Sequence, residues 1–304
     1  MTSIDVYASA DHWADHVAPI WAALPVDQRG TFLRKITPGT NPVVVASIGD
    51  LRAIHPGRRV ALIEHGAGQS YGGAPTSAGH PAYAGGQRRT ADLFLHPGPH
   101  PAARDRAAYP KVPIEVIGCP FLDTLPARQP GPGPVIAVTW HADHSLTAET
   151  RSAFAWFRRG IVALAERYRV IGSAHPHVLN SLAPWYRARG IEVVPDFGEI
   201  CRQADILVAD NTSVLFAFAA TGRPVVVCNA PIYRLAVHHG LRFWEDATAG
   251  VNCNDERALL DAVAEALEDA PETRAAREAA LDHVYAYRSG AAARAADVLM
   301  DWAA

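Results

Sequence analysis

The first stretch that could do chemistry is IEHGAGQSYGG, residues 63–73, which begins at the end of a short apolar run. Its glycines do not fit the dinucleotide-binding fingerprint, because the third glycine would fall at position 71, which is Tyr71. The group left to explain is His65, which comes directly after a predicted strand. A neutral imidazole can accept a proton near neutral pH, and the rest of the chain has to explain this one. The alternative is that His65 only ends a strand.

A second candidate is the segment DILVADNTSVLFAFAATGRPVVV, residues 205–227. Its first apolar run predicts a buried strand that ends at Asp210, and the residues at 211–213 predict the start of a helix. Unpaired amides at a helix start, together with two hydroxyl groups, favour the binding of an anion such as a phosphate. The alternative is that Thr212 and Ser213 only cap the helix.

Histidines follow two further predicted strands. His175 lies in GSAHPHV, residues 172–178, and could donate a hydrogen bond to a phosphate oxygen, whereas alternation along the chain points His177 elsewhere. His141 and His144 lie three residues apart, but no third ligand and no H-E-x-x-H motif accompany them, so we expect no metal site and no cofactor. The histidines at 96, 100, 238 and 239 are predicted to be loop residues without a partner pattern.

Composition excludes several classes of protein. The 304 residues are 49% hydrophobic with a net charge of -3 and no basic run, which argues against bulk nucleic-acid binding. The four cysteines are far apart and lack C-x-x-C spacing, which argues against a disulfide framework or a zinc knuckle. The N-terminus lacks a signal-peptide pattern, and no apolar run is long enough to span a bilayer. We therefore expect a soluble, cytoplasmic protein with at most peripheral membrane contact.

Short runs rich in valine and isoleucine alternate with helical patterns, which is typical of parallel sheets covered by helices on both faces. The proline- and glycine-rich segment ARQPGPGP, residues 127–134, is the clearest boundary. We therefore predict an α/β protein with two Rossmann-like domains facing a cleft, residues 1–130 and 131–304, whose last helix could cross back to the first domain. Ligands of such sheets bind beyond the carboxyl ends of the strands.

The motifs of this chain, taken in order, resemble those of a known protein family. The chain shows His-Gly at 65–66, IGCPFLDTL at 117–125, IAVTWHAD at 136–143, AHP at 174–176 and the strand-to-helix segment at 204–227. In this order and spacing it resembles the CDP-glycerol glycerophosphotransferase family, the teichoic-acid polymerase and primase type, over roughly residues 60–250. The resemblance implies a GT-B fold of two Rossmann-like domains, with the donor nucleotide held mainly by the C-terminal one.

The resemblance also implies residue roles. His65 matches the family histidine that acts as general base toward the acceptor hydroxyl, and His175 matches the histidine that contacts the donor phosphates. The residues expected around the donor diphosphate and nucleotide are His141, Asp210, Asn211, Thr212 and Ser213. The acceptor-side loop is expected to include Glu64, Gly66, Gly68 and Gln69, and the hinge-proximal motif comprises Gly118, Pro120 and Asp123.

The chain departs from the family pattern at several positions. Ala67-Gly68-Gln69-Ser70 replaces threonine-proline-leucine-lysine, Glu64 replaces a tryptophan, His141 replaces an arginine, Phe121-Leu122 replaces arginine-asparagine and Asn211 replaces a tyrosine. Several positive charges that would face a glycerophosphate are therefore missing, which leaves the transferred group open.

We predict a transferase that moves a glycerophosphate-, polyol-phosphate- or glycosyl-type group from a CDP- or UDP-linked diphosphate donor to a hydroxyl acceptor of unknown identity. Three alternatives stay open: a nucleotide-sugar glycosyltransferase, an enzyme like UDP-N-acetylglucosamine 2-epimerase, and a non-catalytic nucleotide-binding module. An epimerase would need several carboxylates near the sugar, and the candidates are Asp196, Glu199 and Asp210. Whether the protein forms a homodimer also stays open.

Overall fold

The computed structural model describes residues 2–67, 91–143, 148, 151–233 and 249–304. The chain divides into two compact units. The first contains the described residues up to Thr124 together with His283–Ala304, and the second contains those from Leu125 to Asp282. The sequence-based predictions for Gly68, Gln69, His144, His238 and His239 fall on residues outside the described ones.

The first unit is built on a parallel sheet of six strands. In chain order these are β1 (Ile4–Tyr7), β2 (Arg29–Leu33), β3 (Val43–Val45), β4 (Val60–Ile63), β5 (Leu93–His96) and β6 (Ile114–Val116). Their order across the sheet is β2-β1-β3-β4-β5-β6, and every neighbouring pair is parallel. The four central strands, β1, β3, β4 and β5, are fully buried, as expected for a parallel sheet covered on both faces.

Helices supply that cover in the first unit, namely α1 (Asp11–Ala23), α2 (Ile48–Ala53), α3 (Pro99–Ala108) and, at the end of the chain, α10 (Ala291–Ala303). Alternate residues of each strand point to opposite faces of the sheet. Ile4 and Val6 of β1 therefore pack in the apolar cluster that includes α1 and α10, whereas Tyr7 packs in the cluster on the other face. The buried side chains of α10 are mostly alanine, which lets this helix lie close to its neighbours.

The second unit repeats this architecture with β7 (Val135–Thr139), β8 (Arg169–Gly172), β9 (Glu192–Val193), β10 (Ile206–Ala209), β11 (Val225–Cys228) and β12 (Val251–Cys253). The order across the sheet is β12-β11-β10-β7-β8-β9, again with parallel neighbours. The helices that follow these strands are α4 (Phe154–Arg167), α5 (Pro176–Arg187), α6 (Phe197–Gln203), α7 (Val214–Ala219), α8 (Leu259–Glu268) and α9 (Pro271–Val284).

The core of the second unit is rich in aromatic side chains. Trp140 is fully buried and stacks on Phe157 with ring centroids 6.4 Å apart. Helix α4 begins at Phe154. The preceding amide, that of Ala153, is bound by a carboxylate 57 positions away in the chain, so a tertiary contact sets the start of this helix.

The two parallel sheets covered by helices confirm the predicted α/β fold class. Residues 125–134, which include the proline- and glycine-rich segment, form neither helix nor strand. Within the part of the chain that the structure describes, no helix combines the length and the apolarity needed to cross a bilayer.

Candidate functional site

Three adjacent strands of the second unit, β8, β7 and β10, end at the same edge of the sheet. Each is followed by a polar residue that the sequence analysis singled out: His175 after β8, His141 after β7 and Asp210 after β10. Parallel strands all run in one direction, so their carboxyl ends share one edge, and ligands of such folds bind there.

Asp210 is fully buried and joins two segments of chain. Its Oδ1 accepts a hydrogen bond from the backbone amide of His141 at 2.6 Å, and its Oδ2 accepts one from the amide of Ala153 at 2.7 Å. Such charge-assisted bonds are stronger than neutral ones. Asp210 thus fixes where the chain leaves β7 and where it enters α4.

His175 and His141 lie side by side, with ring centroids 6.0 Å apart. The backbone amide of His175 donates to the carbonyl oxygen of Trp140 at 2.8 Å, which continues the β7–β8 ladder past the ends of the strands. Both imidazoles are therefore held by backbone that the sheet itself positions.

The partners of the two rings imply opposite tautomers. Nδ1 of His175 accepts from the backbone amide of His177 at 3.2 Å, so in the neutral ring the proton is on Nε2, which is a donor. Nδ1 of His141 lies 2.7 Å from the carbonyl oxygen of Ala142, which can only accept, so this nitrogen carries the proton. His175 thus offers an N–H from Nε2, the group that a phosphate oxygen needs.

Asn211 follows Asp210 and is fully buried, yet neither its Oδ1 nor its Nδ2 has a hydrogen-bond partner among the described residues. An unpaired buried amide costs about 1–3 kcal/mol, so such a group calls for an explanation. Ser213, two residues after Asn211, directly precedes α7 but makes no capping hydrogen bond with its side chain. This argues against the interpretation that Ser213 only caps the helix.

Two supporting residues were missed from the sequence. The hydroxyl of Tyr186 donates to the carbonyl oxygen of Ser173 at 2.9 Å, and burial raises the pKa of this tyrosine, so it stays protonated. Asn229 follows β11, and its Nδ2 donates to Oδ1 of Asn254 at 2.8 Å. Asn229 could have been predicted from the sequence, because polar residues just beyond the ends of parallel strands often face the ligand. Tyr186 lies within a helix, and no local sequence pattern indicates its role.

In the first unit, His65 follows β4 and is half-buried beside α1. Its ring meets the edge of Trp13 with centroids 4.6 Å apart, and that of His16 at 5.9 Å. Gly66 has a φ of +66°, the left-handed conformation that glycine adopts readily, so the chain turns directly after His65.

His16, which lies beside His65, has a strongly lowered pKa. Its burial, together with smaller contributions from His65 and His12, lowers its pKa from the usual 6.5 to about 3. The ring of Phe121 also lies close to that of His16, with centroids 5.1 Å apart. The neighbour of His65 is therefore a neutral imidazole at physiological pH.

Glu64 lies apart from this aromatic group, in a buried cluster with His96 and Asp105. The sequence prediction that His96 is a loop residue without a partner is wrong: it is the last residue of β5, it is 2% exposed, and its Nε2 lies 3.0 Å from Asp105 Oδ2. The sequence did not indicate this partner, because Asp105 lies nine residues later in α3 and approaches His96 only through the packing of that helix.

The hinge-proximal motif has a structural role within the first unit. Gly118 has a φ of +88°, and a Cβ there would lie 2.9 Å from the carbonyl oxygen of Tyr287. Asp123 Oδ2 accepts from the backbone amide of Ala292 at 2.8 Å, so it caps the first turn of α10. Pro120 opens the 3-10 turn Pro120–Thr124 that carries this aspartate.

Among solved structures, the wall teichoic acid polymerase TagF is similar to this chain at 14% identity and a TM-score of 0.67, over 99% of this chain and 88% of that one. MnaA from S. aureus in complex with UDP is 13% identical, with a TM-score of 0.61, over 99% and 95%. The UDP-GlcNAc 2-epimerase of Neisseria meningitidis, bound to UDP-GlcNAc, is 12% identical, with a TM-score of 0.60, over 99% of both chains. At these identities the likeness establishes the fold, which is the predicted GT-B type.

No curated protein matches the sequence. A family model described as CDP-Glycerol:Poly(glycerophosphate) glycerophosphotransferase matches residues 135–298, more than half of the chain. The match includes β7, β8 and β10 and therefore His141, His175 and Asp210. The chain belongs to the CDP-glycerol:poly(glycerophosphate) glycerophosphotransferase family.

Proposed function

We propose that this transferase moves glycerol phosphate from CDP-glycerol to an acceptor hydroxyl, the reaction type that its family is named for. The acceptor oxygen forms a bond to the phosphorus that carries glycerol, and the bond from that phosphorus to the bridging oxygen breaks. CMP leaves with the electron pair of that bond. The proton of the acceptor hydroxyl must go to a base, and the charge that develops on the leaving phosphate must be stabilised.

The observation that carries the donor assignment is the buried amide of Asn211, which has no hydrogen-bond partner among the described residues. It lies at the carboxyl edge of the sheet, between Asp210 and the hydroxyls of Thr212 and Ser213. A bound nucleotide diphosphate would supply the missing partner and would accept from both hydroxyls. Helix α7 has only six residues, so we assign recognition to these side chains and not to a helix dipole.

His175 is the second donor-side group in this proposal. Its Nε2–H, fixed by the bond that Nδ1 accepts from His177, can donate to an oxygen of the leaving CMP phosphate. Asp210 acts as a positioning residue, because both of its oxygens bind backbone amides, one of them that of His141.

His65 is the base in this proposal. It comes directly after a buried strand, it is half-buried, and its ring is held against Trp13. An imidazole can take the hydroxyl proton without building a second negative charge beside the substrate. We assign Glu64 and Gly66, with Gly68 and Gln69, to the acceptor-side loop.

The epimerase alternative needs free carboxylates, and two of its candidates have structural roles. Oδ1 of Asp196 caps α6 by accepting from the amide of Glu199 at 2.6 Å. Hydrogen bonds from Arg202, and then from Gln203, lower the pKa of Glu199. These contacts favour a transferase over an epimerase.

The test is an assay of CMP release from CDP-glycerol in the presence of polyol-phosphate, lipid-linked sugar and small-molecule acceptors. CDP-ribitol and UDP-sugars are compared as donors. We expect turnover with CDP-glycerol and a loss of at least about 100-fold in kcat for His65→Ala and for His175→Ala.

The matched control is His177→Ala, which removes the exposed imidazole next to His175 and should keep turnover within a few-fold. A preference for a UDP-sugar would contradict the proposed donor. If folded His65→Ala turns over at nearly the normal rate, His65 is not the general base, whereas the proposed donor and its binding residues are unaffected.

A further inference from the structure

Glu64, His96 and Asp105 come from three elements of the first unit: the residue after β4, the last residue of β5, and the middle of α3. Strands β4 and β5 pair in register, Ile63 with Leu95, so Glu64 and His96 extend neighbouring strands. The amide of Glu64 donates to the carbonyl oxygen of Leu95 at 2.8 Å, which fixes that placement. The sheet itself therefore brings a carboxylate and an imidazole together under α3.

The three side chains are almost completely buried, with 6%, 2% and 6% exposure for Glu64, His96 and Asp105. One potential ligand atom from each lies within 4.8 Å of the other two. Burying two carboxylates beside an imidazole is unfavourable unless the carboxylates are protonated, paired with a positive group or coordinated to a cation.

The orientation of His96 points to coordination. Its Nε2 lies 3.0 Å from Asp105 Oδ2, yet neither ring nitrogen makes a hydrogen bond of acceptable geometry with any described residue. A structural His–Asp pair would align the N–H with the carboxylate. Two ligands of one cation lie at about this distance without hydrogen-bonding to each other, because both lone pairs point at the ion.

We propose that Glu64, His96 and Asp105 form a binding site for a first-row divalent cation, with Zn²⁺ as the best fit. One imidazole nitrogen and two carboxylate oxygens suit such cations, whereas Mg²⁺ and Ca²⁺ favour oxygen ligands alone. Three protein ligands leave a coordination position for water or a further group. The ion would link β4, β5 and α3 and would fix Glu64, the residue before His65. Metal binding by these three residues is independent of the transfer reaction.

The experiment measures metal content directly. The full chain is stripped with EDTA, equilibrated with Zn²⁺, Mn²⁺ or Mg²⁺, passed over a desalting column and analysed for bound metal by mass spectrometry. We expect one equivalent of Zn²⁺ and a higher Tm on Zn²⁺ addition, with little retention of Mg²⁺. In Asp105→Asn and Glu64→Gln, which keep the side-chain shape, Zn²⁺ affinity should fall by more than about 100-fold, since even residues behind the ligands contribute 10–100-fold.

The control is His55→Ala, which removes an exposed histidine of the same unit. This variant should still bind one equivalent of Zn²⁺. Wild-type protein without tightly bound Zn²⁺ would overturn the proposal, as would full retention by both carboxylate variants. The metal-free Tm of each variant shows whether it is folded. If one variant is unfolded, the wild-type content and the other variant still decide the question.

Discussion

In the proposed donor site, Asn211 is the residue at which stability and substrate binding are most clearly opposed. Its side chain is fully buried, and its two polar atoms have no hydrogen-bond partner in the described part of the chain. A sequence shaped for stability alone would place an apolar residue there. This supports the proposal that the partner of the amide is the substrate.

Replacing Asn211 with Leu, which has the same branching, should separate these two effects. We expect the substrate-free protein to be as stable as the wild type or more stable by about 1 kcal/mol, because an unpaired polar group is removed. Binding of CDP, measured by calorimetry, should weaken at least about tenfold. The matched control is Asn229→Leu, which loses the bonds to Asn252 and Asn254 and should lower the Tm. A fall in the Tm of Asn211→Leu comparable to that of Asn229→Leu would show that the Asn211 amide is structural.

The candidate residues that sequence reasoning found share one property: they lie just beyond an apolar run. His65, His141, His175 and Asp210 all meet this condition, and in a parallel sheet it places them at the carboxyl edge. Asp105 does not meet it, because it comes from the middle of α3. Its closeness to His96 depends on how α3 packs on the sheet, which no local pattern encodes.

At the scale of elements, the central strands were predictable, whereas one edge strand of each sheet was not. Strands such as β4 and β10 are continuous apolar runs because both of their faces are buried. The sequence analysis missed β2 (Arg29–Leu33) and β12 (Val251–Cys253), which lie at the edges of their sheets. β2 is mostly half-buried and carries an arginine, a glycine and a threonine, while β12 has three residues with a polar one in the middle. Neither contains enough apolar residues to be distinguished from a loop.

Helix α4 allows a test in which packing opposes helix propensity. Replacing a helical glycine by alanine usually stabilises a helix by about 1 kcal/mol. A Cβ on Gly160 of α4, however, would lie 2.6 Å from the carbonyl oxygen of Glu256 and 3.0 Å from Leu259 Cδ2. The nearer atom belongs to the backbone and cannot rotate away, so we expect Gly160→Ala to destabilise the protein by about 1–3 kcal/mol in urea unfolding.

Gly131→Ala is the control for this substitution, since a Cβ there would meet no atom within 4 Å. It should change stability by less than about 0.5 kcal/mol, or raise it slightly by restricting the unfolded chain. An increase in stability for Gly160→Ala would mean that α4 does not lie as close to residues 256–259 as the structure describes.

At the scale of the whole molecule, the fold leaves the reaction undecided. Similar architecture occurs in a wall teichoic acid polymerase and in UDP-N-acetylglucosamine 2-epimerases, with TM-scores of 0.67 and 0.60. The specificity of such proteins lies in residues at the ends of the strands and in their loops. Here the family match, together with the structural roles of Asp196 and Glu199, favours transfer of a phosphoryl-linked group.

The pH dependence of stability is also a property of the whole molecule, and His16 makes a specific contribution to it. Burial lowers its pKa from 6.5 to about 3 in the folded state. Between these values the unfolded chain binds a proton that the folded chain does not, so stability is lost as the pH falls through this window. At pH 5 the loss from this one group is about 2 kcal/mol relative to neutral pH.

We therefore expect that the difference in unfolding free energy between pH 7 and pH 5 shrinks by about 2 kcal/mol in His16→Leu, because leucine has no proton to gain. The substitution suits a buried position of α1, where Nδ1 of His16 has no hydrogen-bond partner among the described residues. Val17→Ala, at the adjacent buried position, should lower stability by the same amount at both pH values, since it removes apolar atoms without changing any charge. Urea unfolding of the three proteins at pH 5, 6 and 7 measures these differences. If His16→Leu keeps the full wild-type dependence on pH, His16 is not held neutral in the folded protein, and His65 would then have a charged imidazole beside it at pH 5.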